Sequence, residues 1–401
     1  MRIAIIGAGA AGMAAAIEAA ASGKNQILLF ERQARVGRKL LATGNGRCNL
    51  SNRHANPSRY HGTNPDFVQP ALDAFPVEAV LEFFQSLGLY TVTEPEGKIY
   101  PYSDQANSVV DVLRFALNRQ NIQLLTATEI VSVKKQGDCF LLKDQNGVLR
   151  ETERLIVTCG GAAGTKLGGS LSGYQLLRSL GHHCTRLQPA LVQLKTETEL
   201  VKSLKGVRAN ASLRLTLHDS LLAVALGEVQ FAEYGISGPA VFDLSRTAAS
   251  TEHCVLHLDL LPDYPQEELL SALCIRVSRF PTLLAEDLLT GILHNRLGRM
   301  LVKACGINLS TPLTDLSWNN LTAVVALCHD LQLKVTGSMG MEGAQVTAGG
   351  IVTQEFDPHT LQSRIVPGLY TAGEVLDVDG DCGGFNLQWA WSSGLLAGQL
   401  R

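Results

Sequence analysis

The chain is 401 residues long, enough for two or three domains with sizeable cores, and 46% of it is apolar against only 18% charged. Its 34 Lys and Arg against 37 Asp and Glu leave a net charge of −3, which excludes the strongly basic face expected of a nucleic-acid binder. The nine cysteines form no C-x-x-C pair, which excludes an obvious zinc site or redox dithiol and predicts a reducing, cytoplasmic setting; no apolar run predicts a membrane span.

Residues 3–6 read as an apolar strand. Gly7-Ala8-Gly9-Ala10-Ala11-Gly12 is a glycine turn opening an alanine-rich helix to about residue 22, and 27–30 is a second strand ending at Glu31. Gly7 suits a tight turn, Gly9 a close backbone approach to a pyrophosphate, and Gly12 the packing of helix on sheet. A pyrophosphate here rests on free N–H groups at a helix N-terminus, where the dipole favours negative charge. Glu31 follows Gly12 by 19 residues, the place of an acid that accepts from a ribose hydroxyl, which argues against a 2′-phosphate. The stretch predicts a dinucleotide site for NAD or FAD and leaves those two open.

Residues 35–52 follow as a long loop dense in Gly, Asn and Arg, which predicts a ligand-wrapping segment. Backbone N–H groups from Thr43, Gly44 and Gly46 are expected to face a flavin ring, Arg38 or Lys39 to meet a phosphate, and Arg47 to stand close by. Cys48 has no partner cysteine, so a buried thiol is as good a reading as a redox one. Residues 76–87 and 108–120 predict helices, and 123–157 predicts a series of strands ending at Gly160-Gly161, again a close backbone approach to a ligand. A helix then runs to Gly181. His182-His183 beside Cys184 suggests metal ligation, but neighbours on a strand point to opposite faces, so ordinary histidines and no metal site are expected.

From about residue 189 the pattern changes. Leu213, Leu215 and Leu217, then Val229 and Phe231, then Leu256, Leu258 and Leu260 alternate with other residues, predicting half-buried antiparallel strands. Residues 265–330 predict helices, one of them through Leu283, Leu284 and Leu288. Gly235-Ile236-Ser237-Gly238-Pro239-Ala240 reads as a turn opening a further helix. The expected organisation is a nucleotide-binding domain in two parts, 1–188 and 341–401, interrupted by a substrate or lid domain over 189–340.

The C-terminal return decides between the two cofactors. Residues 369–372 predict a strand running into Gly373-Glu374, and Gly383-Gly384 opens a predicted helix that carries Asn386, Leu387 and Gln388. Gly373 permits close approach, Glu374 accepts from a ribitol hydroxyl or an N–H donor, and the helix N-terminus is suited to a flavin C2 carbonyl. A plain NAD dehydrogenase has no need of this return, so FAD is the expected cofactor.

On the glycine fingerprint 7–12, the run 42–49, Gly235 to Ala240, Val346-Thr347-Ala348-Gly349-Gly350 and the run 367–394, the chain resembles the bacterial aminoacetone-oxidase-like NAD(P)/FAD-dependent flavoproteins. The resemblance implies one non-covalent FAD and an α/β, glutathione-reductase-like, Rossmann-type FAD-binding domain. It also implies an inserted β-barrel-like and small helical domain. Arg32, Asn49, Ile130 and Asp379 join the positions above as implied cofactor contacts. Two activities stand against each other. One is a reductase passing hydride from NAD(P)H through FAD to an unsaturated or carbonyl small molecule. The other is an amine oxidase with oxygen as acceptor. A folate- or tRNA-linked flavoprotein is disfavoured by the charge. Without a second nucleotide fingerprint, NAD(P)H is expected only as a transient visitor, and no residue stands out as acid or base.

Overall fold

The apolar run near the N-terminus, Arg2–Ile6, forms the middle strand of a five-stranded parallel sheet. From one edge the order is Leu369–Thr371, Arg154–Val157, Arg2–Ile6, Gln26–Phe30 and Ile122–Leu125. Every neighbouring pair is parallel, with Ile5 opposite Ile156 on one side and Leu29 on the other. Strands covered on both faces read as continuous apolar runs rather than alternating ones, and Ile3, Ala4, Ile5, Leu155, Ile156 and Val157 are all fully buried. The computed structural model describes residues 1–401 and resolves into two units, Met1–Pro189 with Ala344–Arg401, and Ala190–Gly343.

In the first unit the fingerprint helix Ala10–Ala20 lies against the C-terminal helix Phe385–Gly398. The contact is made of small residues. A β-carbon at Gly394 would stand 2.4 Å from the Ala11 carbonyl oxygen, and one at Gly398 would stand 2.8 Å from that of Ala15. A three-stranded antiparallel sheet, Ile130–Gln136, Cys139–Asp144 and Leu149–Thr152, is appended, together with a small sheet of Ser51–Asn52, Lys98–Pro101 and Thr91–Thr93. The segment 35–52 is less irregular than its composition suggests. It contains a short helix Arg38–Ala42 and a 3-10 turn Thr43–Gly46 before reaching its strand.

The second unit is a closed barrel of six strands in the order Leu194–Thr196, Gly235–Ser237, Ser220–Ala232, Arg208–Leu217, Val255–Asp259 and Leu331–Ser338. Leu213, Leu215, Val229, Phe231, Leu256 and Leu258 fill its interior, the alternation expected of antiparallel strands with one buried face. Residues 235–237, expected as a turn, are a barrel strand. Gly235 at φ 148° brings backbone so close that a β-carbon would stand 2.3 Å from the Leu194 carbonyl oxygen. The helix Pro239–Ser250 follows as expected. Helices Gln266–Arg279, Asn295–Ala304 and Trp318–His329 complete the unit. No α-helix runs through Leu283 to Leu288. Pro281 lies two residues ahead of that segment, Leu284 bridges to Pro312, and only the 3-10 turn Ala285–Asp287 forms.

Candidate functional site

The carboxyl ends of the parallel strands carry the glycine segments, the place where open α/β sheets bind ligands. At the fingerprint the three glycines differ in surroundings. Gly7, at φ 104°, leaves no room for a β-carbon, which would lie 2.5 Å from the Thr158 carbonyl oxygen. A β-carbon on Gly12 would lie 1.8 Å from the Gly7 carbonyl oxygen and 2.6 Å from Thr158 Oγ1. A β-carbon on Gly9 would meet nothing within 4 Å. Two glycines therefore serve packing, and the third faces open space at the start of a helix that Ala10 and Ala11 begin. Thr158, which the sequence reading passed over, donates its hydroxyl to the Gly7 carbonyl at 2.8 Å and pins the turn.

Glu31 ends its strand beneath this turn. Its carboxylate accepts from the Ala8 N–H at 3.0 Å and from the Gln33 N–H at 2.8 Å. Burial pushes the carboxyl above its ordinary value, against the lowering by those N–H donors and by Arg32. Arg32 donates to the Gly168 carbonyl at 2.5 Å and so fastens the 160–169 loop. Arg38 is exposed and donates to the Gln33 side chain at 3.0 Å. Ile130 is buried at the start of its strand, and the residues just before it bond to the backbone of this corner, Thr128 N–H to Glu31 and Ala127 N–H to Gln33, both at 2.9 Å.

A second group forms around Glu374. Lys39 Nζ is 2.7 Å from Glu374 Oε2, and Oε1 accepts the Thr347 N–H at 2.9 Å. Gly161 is glycine because a β-carbon there would stand 2.4 Å from Glu374 Oε1; Gly160, at φ 71°, has open space around it. Gly373, at φ 78°, donates its N–H to Ser393 Oγ at 3.0 Å and accepts from the Trp389 indole at 3.2 Å. The structure thus gathers Lys39, Gly161, Gly373 and Glu374, which are far apart in the chain.

The 43–49 loop turns on left-handed residues, Gly44 at φ 56°, Asn45 at 56°, Gly46 at 87° and Cys48 at 62°. Thr43 Oγ1 caps the short helix by donating to the Leu40 carbonyl at 2.7 Å. Cys48 is fully buried and burial pushes its thiol up to about 12, the state of an inert structural cysteine. Arg47 is held by Glu94 at 2.5 Å and by Asp104, with its guanidinium 4.1 Å above the Tyr100 ring. Asn49 Oδ1 is buried with no hydrogen-bond partner, and a β-carbon at Gly384 would stand 2.8 Å from it.

Gly384, at φ 101°, caps the 14-residue C-terminal helix. The first bond made inside that helix is Gln388 N–H to the Gly384 carbonyl at 3.0 Å, so the N–H groups of 385–387 have no intrahelical partner. The side chains there are engaged elsewhere. Asn386 exchanges two 2.8 Å bonds with the Gly380 backbone, and buried Gln388 accepts from Ser51 Oγ at 2.5 Å and donates to Ser392 Oγ at 2.9 Å. Leu387 is half-buried on the first turn, and Asp379 is buried in a two-residue strand paired with Tyr60–His61. What this end of the helix presents is backbone.

The residues fit a flavin dinucleotide. The open side of Gly9 suits a pyrophosphate, the unpaired helix N–H groups suit an acceptor edge, and the buried Asn49 oxygen lacks a donor such as an imide N–H.

The chain matches the HI0933-like protein Rossmann domain over residues 1–400. It belongs to that family. It is 40% identical, over 99% of its own length and 98% of the relative's, to the 3-dehydro-bile acid delta(4,6)-reductase of Clostridium scindens. It is 31% identical to a ribosomal RNA dihydrouridine synthase of Escherichia coli, over 97% and 95%. In fold it is similar to 3-ketosteroid delta1-dehydrogenase from Sterolibacterium denitrificans, at TM-score 0.51 and 12% identity, covering 99% and 98% of the two chains. The protein is an FAD-dependent oxidoreductase with a Rossmann-type FAD-binding domain and a barrel insertion. The resemblance holds at that level; the narrower aminoacetone-oxidase label is not what these relatives show.

No helix is long and apolar enough to cross a membrane. No group of three or more His, Cys, Asp or Glu is arranged to hold a metal. The two histidines do, however, share one partner: His182 Nδ1 and His183 Nδ1 lie 2.7 and 2.6 Å from the two oxygens of Glu355. They lie in irregular backbone before the bridge at Cys184, so the strand alternation that would separate them does not apply.

Proposed function

We propose that the protein reduces a carbon–carbon double bond conjugated to a carbonyl in an apolar small molecule, using NAD(P)H as the electron donor. The observation that carries this reading is the end-to-end 40% identity to a reductase named for the delta(4,6) bonds of a 3-dehydro-bile acid. FAD, when bound, supplies hydride transfer between donor and substrate. The chain's own part is to hold and tune it. Gly9 and the first turn of the fingerprint helix would receive the pyrophosphate, Glu31, which sets the turn, would hold the ribose, and Glu374 with Lys39 would hold the middle of the cofactor. The N–H groups of 385–387 stabilise negative charge at the flavin's pyrimidine edge. Residues 190–343, which carry no nucleotide fingerprint, are assigned the substrate specificity. With no second fingerprint domain, NAD(P)H visits and leaves.

The ribosomal RNA relative supports the same bond type, since dihydrouridine is uridine with its ring double bond saturated. A small molecule is preferred as substrate because the identity to that relative is lower. The 190–343 unit also carries 12 Lys and Arg against 16 Asp and Glu, the opposite of an RNA footprint. The test is anaerobic. Purified FAD-loaded protein is reduced with NADH or NADPH, then mixed in parallel with a 3-oxo-Δ4 steroid acid and with unmodified ribosomal RNA, and flavin absorbance is followed. Reoxidation by the enone supports the reading and reoxidation by RNA alone replaces the substrate. Reduction of the oxidised protein by aminoacetone, with no response to either double bond, establishes the amine-oxidase alternative.

A further inference from the structure

We propose that Tyr100 is the acid that protonates the substrate after hydride transfer, an inference that rests on the enone-reductase reading. Hydride addition at the β-carbon of an enone leaves an enolate, which needs a proton at the α-carbon. Most titratable groups around the 43–49 loop are committed. Arg47 is tied to Glu94 and Asp104, Lys98 to Glu96 at 2.6 Å, and Lys39 to Glu374 at 2.7 Å; Cys48 is sealed in the core.

Tyr100 stands apart. It lies on the strand Lys98–Pro101 and is 8% exposed, and its hydroxyl, unlike that of Tyr174, is not among the buried polar atoms left without a partner, so it is not sealed in the core. Its place is set by the loop already described. A β-carbon on Gly44 would stand 3.3 Å from Tyr100 Cε1 and 2.8 Å from the Asn49 backbone nitrogen, so the ring borders the segment that carries the unpartnered Asn49 oxygen. The Arg47 guanidinium sits 4.1 Å above the ring and is kept there by its two carboxylates; burial raises the phenol above its ordinary value and so keeps its proton on before transfer, while the Arg47 charge opposes this and favours the phenolate left after donation. The step balances. The nicotinamide supplies two electrons as hydride by way of the flavin. The enolate electron pair then takes the Tyr100 proton to form the α C–H bond as the carbonyl re-forms, and the phenolate recovers a proton from water.

The test uses FAD-loaded protein and Tyr100→Phe, which keeps the ring under Arg47. Turnover of an enone is expected to fall by about 10²–10⁴-fold, the usual contribution of a general acid, with loss of the alkaline limb of the pH–rate profile. A nitroalkene, whose hydride adduct leaves as a stable nitronate without protonation, should lose far less. A readout independent of turnover is the ultraviolet phenolate titration of the protein. Adding a saturated ketone product should move one tyrosine's titration to higher pH in the wild type and none in the variant. Enone turnover within about threefold of wild type overturns the proposal, as does equal loss on both substrates or a titration that the ketone does not move. A wild-type protein inert to every enone overturns the reductase reading instead.

Discussion

Gly394 meets the backbone of Ala11 across the two helices that frame the dinucleotide site: a β-carbon at 394 would stand 2.4 Å from the Ala11 carbonyl oxygen and 2.9 Å from its α-carbon. Two effects oppose each other in Gly394→Ala. Helix propensity favours alanine by about 1 kcal/mol. Overpacking costs about 1–3 kcal/mol and more when the obstacle is backbone, which cannot rotate away. The clash should win, with a net loss on the order of 1–2 kcal/mol and a weakened hold on FAD, because Ala11 belongs to the fingerprint turn. Chemical denaturation of the two proteins checks it. A variant as stable as the parent would mean that the helices do not pack this closely.

The fingerprint glycines should separate folding from binding. Gly9→Val adds atoms into open space, so the fold should hold while FAD is lost to the added bulk. Gly12→Ala drives a β-carbon to 1.8 Å from the Gly7 carbonyl and should destabilise the fold itself. Thermal melts paired with flavin content decide the matter, and a folded Gly9→Val protein with full FAD would remove Gly9 from the pyrophosphate site.

Acid should loosen the corner held by Glu355. Burial pulls His182 below its ordinary value of 6.5, against the raising effect of Glu355. Its ring is stacked on Phe356 at 4.6 Å, and its Nε2 lies 3.0 Å from Ser363 Oγ. The folded state therefore favours the neutral ring. That stability is present above pH 6.5 and is lost as pH falls from 6.5 through the lowered folded value. Glu355 itself lies below its ordinary 4.5, since bonds from His183 and His182 outweigh burial, and its contribution is lost only below that pH. His182→Phe should melt lower at pH 7 and show a flatter decline of melting temperature between pH 7 and 5 than the parent. Parallel declines would assign the titration to another group.

The strands and glycine turns were legible because burial on both sheet faces leaves continuous apolar runs, and because positive φ demands glycine at 7, 373 and 384. The residue pattern of the insertion showed only alternation, since strand order does not show in a linear pattern; that the strands close into a barrel came from the family resemblance. The site was harder. Asn386 and Gln388 were expected as cofactor contacts, but the sequence gives no sign that their side chains bond to Gly380 and Ser51. Thr158, Thr347 and Ser393 were given no role for the same reason: each acts through hydroxyl or N–H bonds to residues distant in the chain. The pairing of His182 and His183 on Glu355 required knowing that their backbone is not a strand.

The N-terminus of Phe385–Gly398 should set the flavin's electronics. The N–H groups of 385–387 have no partner within the helix, and beside its cap, with the Ser51 backbone, packs Asn49, whose oxygen is itself unpartnered. A preorganised row of donors lowers the energy of negative charge placed against it without having to reorient. The reduced flavin should therefore be the anionic hydroquinone at pH 7, and the oxidised flavin should take up sulfite at N5. Leu387→Pro removes one of the three donors at a position where no intrahelical bond is lost. The whole helix terminus contributes about 0.3–2 kcal/mol, so losing one donor should lower sulfite affinity by part of the roughly two- to thirtyfold that the whole is worth, with the fold retained. Ala390→Pro lies one turn deeper, where proline forfeits a bond and collides with the carbonyl of Asn386 at a cost of about 3 kcal/mol or more, so both properties should disappear. A sulfite titration followed by flavin absorbance, with the reduced spectrum alongside, measures each. A neutral hydroquinone and no adduct at millimolar sulfite in the wild type would show that this helix points elsewhere.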